Sequence, residues 1–139
     1  MPLKKICSFC GAIVYIGQEC PCRRKKIKES RAEYDRNRRN KKAKDFYNSK
    51  EWREIRDKVL LMDGCDVFLF ATKGLMVPAD TVHHIVPVMD DWSQRLRVDN
   101  LISLSHGTHS MIEREYKRDK AGAQQELREI LKKIRPRGD

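Results

Sequence analysis

Between residues 46 and 134 the apolar positions alternate between helical and strand-like periods. Trp52, Ile55, Val59 and Leu60 recur at helical spacing, with Asn48 or Ser49 placed to cap the helix and Glu51 in its first turn. Asp63-Gly64 ends this first helix. The continuous run Val67-Phe68-Leu69-Phe70 favours a buried β-segment, and Lys73-Gly74 reads as a turn. Thr81 to Val88 is rich in β-branched residues and meets Pro87, which suits the end of a strand. Met89 to Asp99 is a polar loop, and Asn100 to Ser105 reads as a second strand, broken by Gly107. A helix then places His109, Ile112 and Tyr116 on one face. A last amphipathic helix near 121–134 carries Leu127, Ile130, Leu131 and Ile134. The pattern predicts an α+β domain over 46–134, followed by a basic tail at 135–139. Upstream of it, residues 12–17 read as a short hairpin.

Residues 23–44 show neither period. They hold twelve basic and three acidic residues, so this segment carries +9 of the chain's formal +10. A stretch so charged cannot bury a face. It is expected to be a basic linker or arm over 23–45: a solvated, partly helical linker that also serves as an arm mobile alone and ordered on nucleic acid. The phosphate-binding residues would be Arg23, Arg24, Lys25, Lys26, Arg36, Arg38, Arg39, Lys41 and Lys42. Tyr34 is its one aromatic residue, which argues against base stacking on single strands. The overall balance of 139 residues, 36% of them charged and 7% aromatic, bounds the core to a modest size. No apolar run approaches a spanning length, so a membrane partner is not expected. Met1-Pro2-Leu3-Lys4-Lys5-Ile6 has no apolar core of a secretory signal. The protein is therefore expected in the cytoplasm, with reduced cysteines.

Four of the five cysteines lie within residues 1–22: Cys7, Cys10, Cys20 and Cys22. Cys7-x-x-Cys10-Gly11 makes a tight turn that aims two sulfurs at one ion. Cys20-x-Cys22 is tighter than the common spacing. Four thiolates suit one closed, tetrahedral structural zinc, and a segment this short has little else to fold around. The other readings are a cysteine-bearing tail without structure and a redox pair. Cys65 has no near neighbour and reads as a small buried residue.

All four histidines fall between 83 and 109. Imidazole is both a metal ligand and a base near neutral pH. Successive strand residues face opposite sides, so His83 and His84 have different roles. His109, in the first turn of a helix packed on the hairpin, can meet one of them. Two imidazoles leave most positions on a divalent ion open, which fits catalysis rather than a closed structural site.

The combined motif Val82-His83-His84-Ile85-Val86-Pro87, Asp99-Asn100-Leu101-Ile102-Ser103-Leu104 and Ser105-His106-Gly107-Thr108-His109 resembles the HNH endonucleases. Phe46-Tyr47-Asn48-Ser49-Lys50-Glu51-Trp52 with Arg56 is similar to the segment that precedes the motif in phage-encoded members associated with the terminase. The resemblance covers residues 46–115. It implies a small ββα-metal (HNH) core with flanking helices, behind a zinc-ribbon-like head (1–22) and a basic linker. It implies His84 as general base, His83 and His109 as metal ligands, and Asn100 as the residue that ties the hairpin loop and orients the base. The family often has Asp where His83 stands. A more nitrogenous site favours Ni²⁺, Zn²⁺ or Mn²⁺, with Mg²⁺ still admissible. The implied reaction is hydrolysis of double-stranded DNA to 5′-phosphate and 3′-hydroxyl ends, by nicking when one chain acts alone. The implied context is phage DNA packaging beside the large terminase subunit.

Many relatives add a structural zinc on two Cys-x-x-Cys pairs around the motif. The matching positions here are Cys65 and Phe68, then Ser105 and Thr108, so no zinc is expected there and apolar packing by Phe68 and Phe70 should replace it. His106 lies in the second of these positions, either as a phosphate contact or auxiliary ligand or as an ordinary surface residue. The competing reading of the whole chain is a non-catalytic zinc-ribbon DNA-binding protein. An RNA-processing factor would share the electrostatics, but nothing in the sequence reads a 2′-hydroxyl.

Overall fold

A computed structural model describes residues 3–8 and 10–136. The final residues of the expected tail, 137–139, lie outside that range. The chain divides into two compact units, 1–42 and 43–139.

In the first unit, β1 (Lys4–Ile6) pairs antiparallel with β2 (Ile13–Tyr15), Lys5 opposite Val14. The strands bracket the first cysteine pair. Their connection closes through Gly11 N–H to Cys7 carbonyl (3.0 Å) and Cys7 N–H to Ala12 carbonyl (2.8 Å). Gly11 has a φ of 76°, a left-handed conformation that glycine adopts without strain. Ile6, Ile13 and Ile16 are all exposed, while Cys7 and Cys20 are buried. The unit therefore has sulfur where a domain would have an apolar core. α1 (Pro21–Tyr47) starts at the second cysteine pair and runs without interruption through the charged segment. The segment expected as a linker or arm is thus helical. Arg, Lys, Glu and Ala are good helix formers whether or not they have a face to bury.

The second unit begins with the end of α1, whose buried residue is Phe46. α2 (Lys50–Asp63) is capped by Ser49, whose hydroxyl accepts from Trp52 N–H at 3.2 Å, and stops at Gly64 (φ 70°). The run 67–70 is helical, not extended: it forms α3 (Val67–Lys73). Asp66 caps its start through a 2.9 Å bond from Leu69 N–H, and Gly74 closes its end. Those flanking residues, not the apolar run between them, decide the conformation.

β3 (Thr81–His84) and β4 (Leu101–Leu104) form an antiparallel hairpin, His83 opposite Ile102 and His84 opposite Leu101. The 16 residues between them include short 3-10 turns at Trp92–Gln94 and Val98–Asn100. α4 (His106–Ile134) breaks at Asp119 (φ −153°, ψ 83°), whose carboxylate accepts from Gly122 N–H at 3.0 Å and so caps the second half. The two expected helices are thus present, joined at that break. The hairpin is covered on both faces. Val67, Ile85, Ile102, Leu104, Ile112 and Leu127 form one apolar cluster; Phe46, Trp52, Val59, Val82, Val88 and Leu101 form another. Each fully buried side chain of this size is worth roughly 1.5–3 kcal/mol, so the strands are fixed in register from both sides.

Two polar clusters complete the unit. Arg135, expected to open the tail, belongs to the fold. Its guanidinium pairs with Asp63 through two bonds of 3.0 and 2.9 Å and donates to the carbonyls of Val98 and Leu101. Asp66 is fully buried and joins α3 to the start of α4: it accepts from Ser105 N–H (2.9 Å) and Ser105 Oγ (2.8 Å). Ser105 Oγ also lies 3.1 Å from Thr108 Oγ1. This corrects the expected packing. Phe68 does lie against the core, but Phe70 is 41% exposed, and Ser105 and Thr108, which stand where the second cysteine pair would be, join Asp66 in a polar cluster.

Candidate active site

Strand alternation separates the paired histidines as expected. His83 turns towards α4, where its ring lies 5.1 Å from that of His109 and edge-on to Tyr116 at 5.0 Å. His84 turns to the opposite face and stacks on Trp52 at 4.8 Å. Both are about 5% exposed, and both line one cleft of about 440 Å³ with His109, Glu113, Tyr47 and Arg56.

On the His83 side, the ligand atoms of His83, His109 and Glu113 lie within 4.8 Å of one another. Glu113 Oε1 is 3.2 Å from His109 Nε2 and 3.7 Å from His83 Nδ1. His83 Nε2 is buried without a hydrogen-bond partner. A buried imidazole with no ordinary protein hydrogen bond is unusual, and its chemistry fits a cation as the missing partner. Burial first, then the neighbouring His109 and His84, push the His83 pKa down to about 3. Its imidazole is therefore neutral and able to ligate at physiological pH. Two imidazoles and a carboxylate form an open donor set that suits Mn²⁺, Ni²⁺ or Zn²⁺. Glu113 went unrecognised in the sequence, although its signal was there: His109 and Glu113 stand four residues apart on one helix face.

On the other side, His84 Nε2 lies 2.9 Å from the Arg95 carbonyl oxygen. A carbonyl only accepts, so Nε2 carries the proton and Nδ1 keeps its lone pair. Burial holds the His84 pKa below its ordinary value, although the Arg95 bond acts in the opposite direction. At neutral pH the free nitrogen is a base. Asn100, 3% exposed, fixes the loop that supplies the carbonyl. Its Oδ1 accepts from Val86 N–H at 2.8 Å, and its Nδ2 donates to the carbonyls of Val86 (3.1 Å) and Gln94 (3.3 Å). Gln94 immediately precedes Arg95. The asparagine thus reaches the imidazole through the loop rather than by contact. His106 is exposed on the first turn of α4 and does not line the cleft.

No family profile matches the chain, and no curated protein does. Among solved structures it matches the crystal structure of the HNH endonuclease of deep-sea thermophilic bacteriophage GVE2 with manganese ion, at 40% identity and a TM-score of 0.57. The match covers 62% of this chain and 94% of that one. The chain belongs to the HNH endonuclease family. It is accordingly a metal-dependent nuclease, a phosphodiester hydrolase acting on nucleic acid, and the set His83, His109 and Glu113 fits its active-site ion. In this HNH enzyme, replacing Glu113 with Gln should weaken Mn²⁺ binding by at least about tenfold, the scale of loss that even an outer-shell partner brings. Isothermal titration with Mn²⁺ measures it. An unchanged affinity would remove Glu113 from the ligand set.

The cysteines of the first unit make a second metal group. All four sulfurs lie within 4.8 Å, with Cys7 and Cys22 3.5 Å apart and Cys10 and Cys20 3.6 Å apart. Tetrahedral zinc with Zn–S bonds near 2.3 Å sets sulfurs about 3.8 Å apart, so the cluster fits structural zinc. Contact with Cys20 first, then with Cys7, raises the Cys22 thiol to about 12. Such crowding of thiols is relieved by a cation. The nine basic residues expected to bind phosphate are all exposed, along α1. Among the described residues no helix is long and apolar enough to cross a membrane.

Proposed function

We propose that the chain is a DNA endonuclease that nicks one strand of a duplex. His84 acts as general base, His83, His109 and Glu113 hold the ion, and Asn100 positions the base. The observation that supports this most is that His84, with Nε2 bound to a carbonyl and Nδ1 left as the unprotonated nitrogen, opens on the same cleft as the three ligand groups. His84 would take a proton from the attacking water at Nδ1 while the Arg95 carbonyl stabilises the imidazolium through Nε2. The ion, when bound, would supply Lewis-acid stabilisation of the scissile phosphate and its leaving 3′ oxygen. Asn100 would hold the 86–95 loop so that the carbonyl stays beneath Nε2.

The head and arm serve binding in this reading. Cys7, Cys10, Cys20 and Cys22 hold one structural zinc. The basic residues of α1 contact phosphates without reading sequence, which makes affinity fall with salt. A role in phage DNA packaging beside the large terminase subunit, within a host cytoplasm, is the biological setting we propose. It rests on the segment from Phe46 to Arg56 and on the phage origin of the matching endonuclease.

The test is incubation of supercoiled plasmid with purified protein and Mg²⁺, Mn²⁺ or Ni²⁺, with and without EDTA. Open circles that form with metal and not with EDTA are expected, alongside one tightly held zinc per chain by elemental analysis. Linear DNA at the first hit would replace nicking with double-strand cleavage. Intact plasmid with every metal would favour a non-catalytic zinc-ribbon DNA-binding protein.

A further inference from the structure

The cleft contains two tyrosines, and their hydroxyls are used differently. Tyr116 donates to the Ile85 carbonyl at 2.6 Å, an ordinary structural bond. Tyr47 makes no such bond to backbone. Its ring is held edge-on by Phe46 (5.2 Å, 64°) and Trp52 (5.5 Å, 84°), and its hydroxyl is set 3.5 Å from His84 Nδ1. That nitrogen is the one the Arg95 carbonyl leaves free. Tyr47 is 45% exposed, so its ring is not a buried core residue that packing alone requires. Burial and the charge of Glu113 raise its pKa, which keeps the hydroxyl protonated and able both to accept and to donate.

A separation of 3.5 Å is long for a direct hydrogen bond, which for a hydroxyl peaks near 2.8 Å. One water oxygen, however, can stand about 2.8 Å from both atoms. Such a water donates one proton to Nδ1 and the other to Tyr47 Oη, which leaves both of its lone pairs unused and able to face the cleft. The hydroxyl proton of Tyr47 is then available to a non-bridging phosphate oxygen.

We infer that Tyr47 is a positioning residue for the attacking water, holding it between its hydroxyl and His84 Nδ1. This rests on the assignment of His84 as general base. In the step, the water oxygen bonds to phosphorus, its first proton passes to Nδ1, and the P–O bond to the leaving 3′ oxygen breaks, the oxygen keeping the electron pair and taking a proton from solvent to end as a hydroxyl. Tyr47 accepts the second proton only as a hydrogen bond and remains a phenol throughout.

The experiment compares Tyr47→Phe with the wild type and with His84→Ala, using the full-length, zinc-loaded protein, Mn²⁺ and a nicked-circle readout under steady-state conditions. The phenyl ring keeps its contacts with Phe46 and Trp52 and loses only the oxygen. A fall in kcat of about tenfold is expected, with KM within twofold and an unchanged melting temperature. A kcat within twofold of wild type would overturn the inference. A loss carried by KM, or accompanied by a lower melting temperature, would make Tyr47 a structural residue and overturn it equally. His84→Ala separates the two levels: an active His84→Ala removes the general base and Tyr47's role with it. An inactive His84→Ala beside a fully active Tyr47→Phe removes only the role given to Tyr47.

Discussion

Replacing His84 with alanine lowers the rate of DNA nicking by about a thousandfold, within the range that a positioned general base contributes. Mn²⁺ affinity stays within a few-fold of wild type. The two outcomes are expected together because the hairpin separates them. His83 meets His109 and Glu113 on one face of β3, while His84 stacks on Trp52 on the other. The substitution also leaves a cavity beside Trp52 and an unpaired Arg95 carbonyl, so the melting temperature must be measured alongside the rate. His84→Asn keeps a donor for that carbonyl and serves as the second variant. A nicking rate within tenfold of wild type in both variants would take the role of base away from His84. Loss of Mn²⁺ binding in both would show that it ligates the ion.

Asp66→Ala destabilises the second unit by about 3 kcal/mol, the sum of charge-assisted bonds and a helix cap reduced for their coupling. The carboxylate is fully buried and accepts from Leu69 N–H, Ser105 N–H and Ser105 Oγ. Without it, α3 loses its cap and the junction of β4 with α4 loses its anchor. The cluster ties the start of α3 to the junction of β4 with α4. Both tryptophans, Trp52 and Trp92, lie in this unit, so urea unfolding followed by fluorescence reports on it alone. Burial by itself would raise the Asp66 pKa, but the bonds from Leu69, Ser105 and Thr108 hold it below the ordinary value. Its contribution is therefore present at neutral pH and lost as acid titrates the carboxylate in the fold. Asp66→Asn should flatten that acid limb of the stability profile. A destabilisation below about 1 kcal/mol in Asp66→Ala would make the cluster incidental.

How far the sequence announced this arrangement differs from residue to residue. The opposed faces of His83 and His84 follow from the period of a strand, and the helix carrying His109 from its spacing with Ile112 and Tyr116. Glu113 was equally available at the fourth position after His109. On a helix this rich in charge, one more carboxylate carries no signal of its own. Val67 to Phe70 misled because a short apolar run has no period of its own; the decision lay with Asp66 and Gly74 at its ends. The charged segment of α1 shows the opposite case, since a helix without an apolar stripe gives no periodic signal although its residues favour the helix. The ties made by Asn100 to Val86 and Gln94, and by Arg135 to Asp63, join positions distant in sequence. No local pattern encodes them.

The proposed mechanism requires one ion bound by His83, His109 and Glu113, with His84 uncoordinated beside it. Anomalous diffraction from crystals of the full-length protein grown with Mn²⁺ tests this directly. A single manganese peak in the cleft, within about 2.3 Å of a nitrogen of each of the two histidines and of a Glu113 carboxylate oxygen, with Nδ1 of His84 uncoordinated, is the predicted result. A manganese ligated by His84, or a cleft with no manganese peak in crystals whose protein nicks DNA with Mn²⁺, would contradict it.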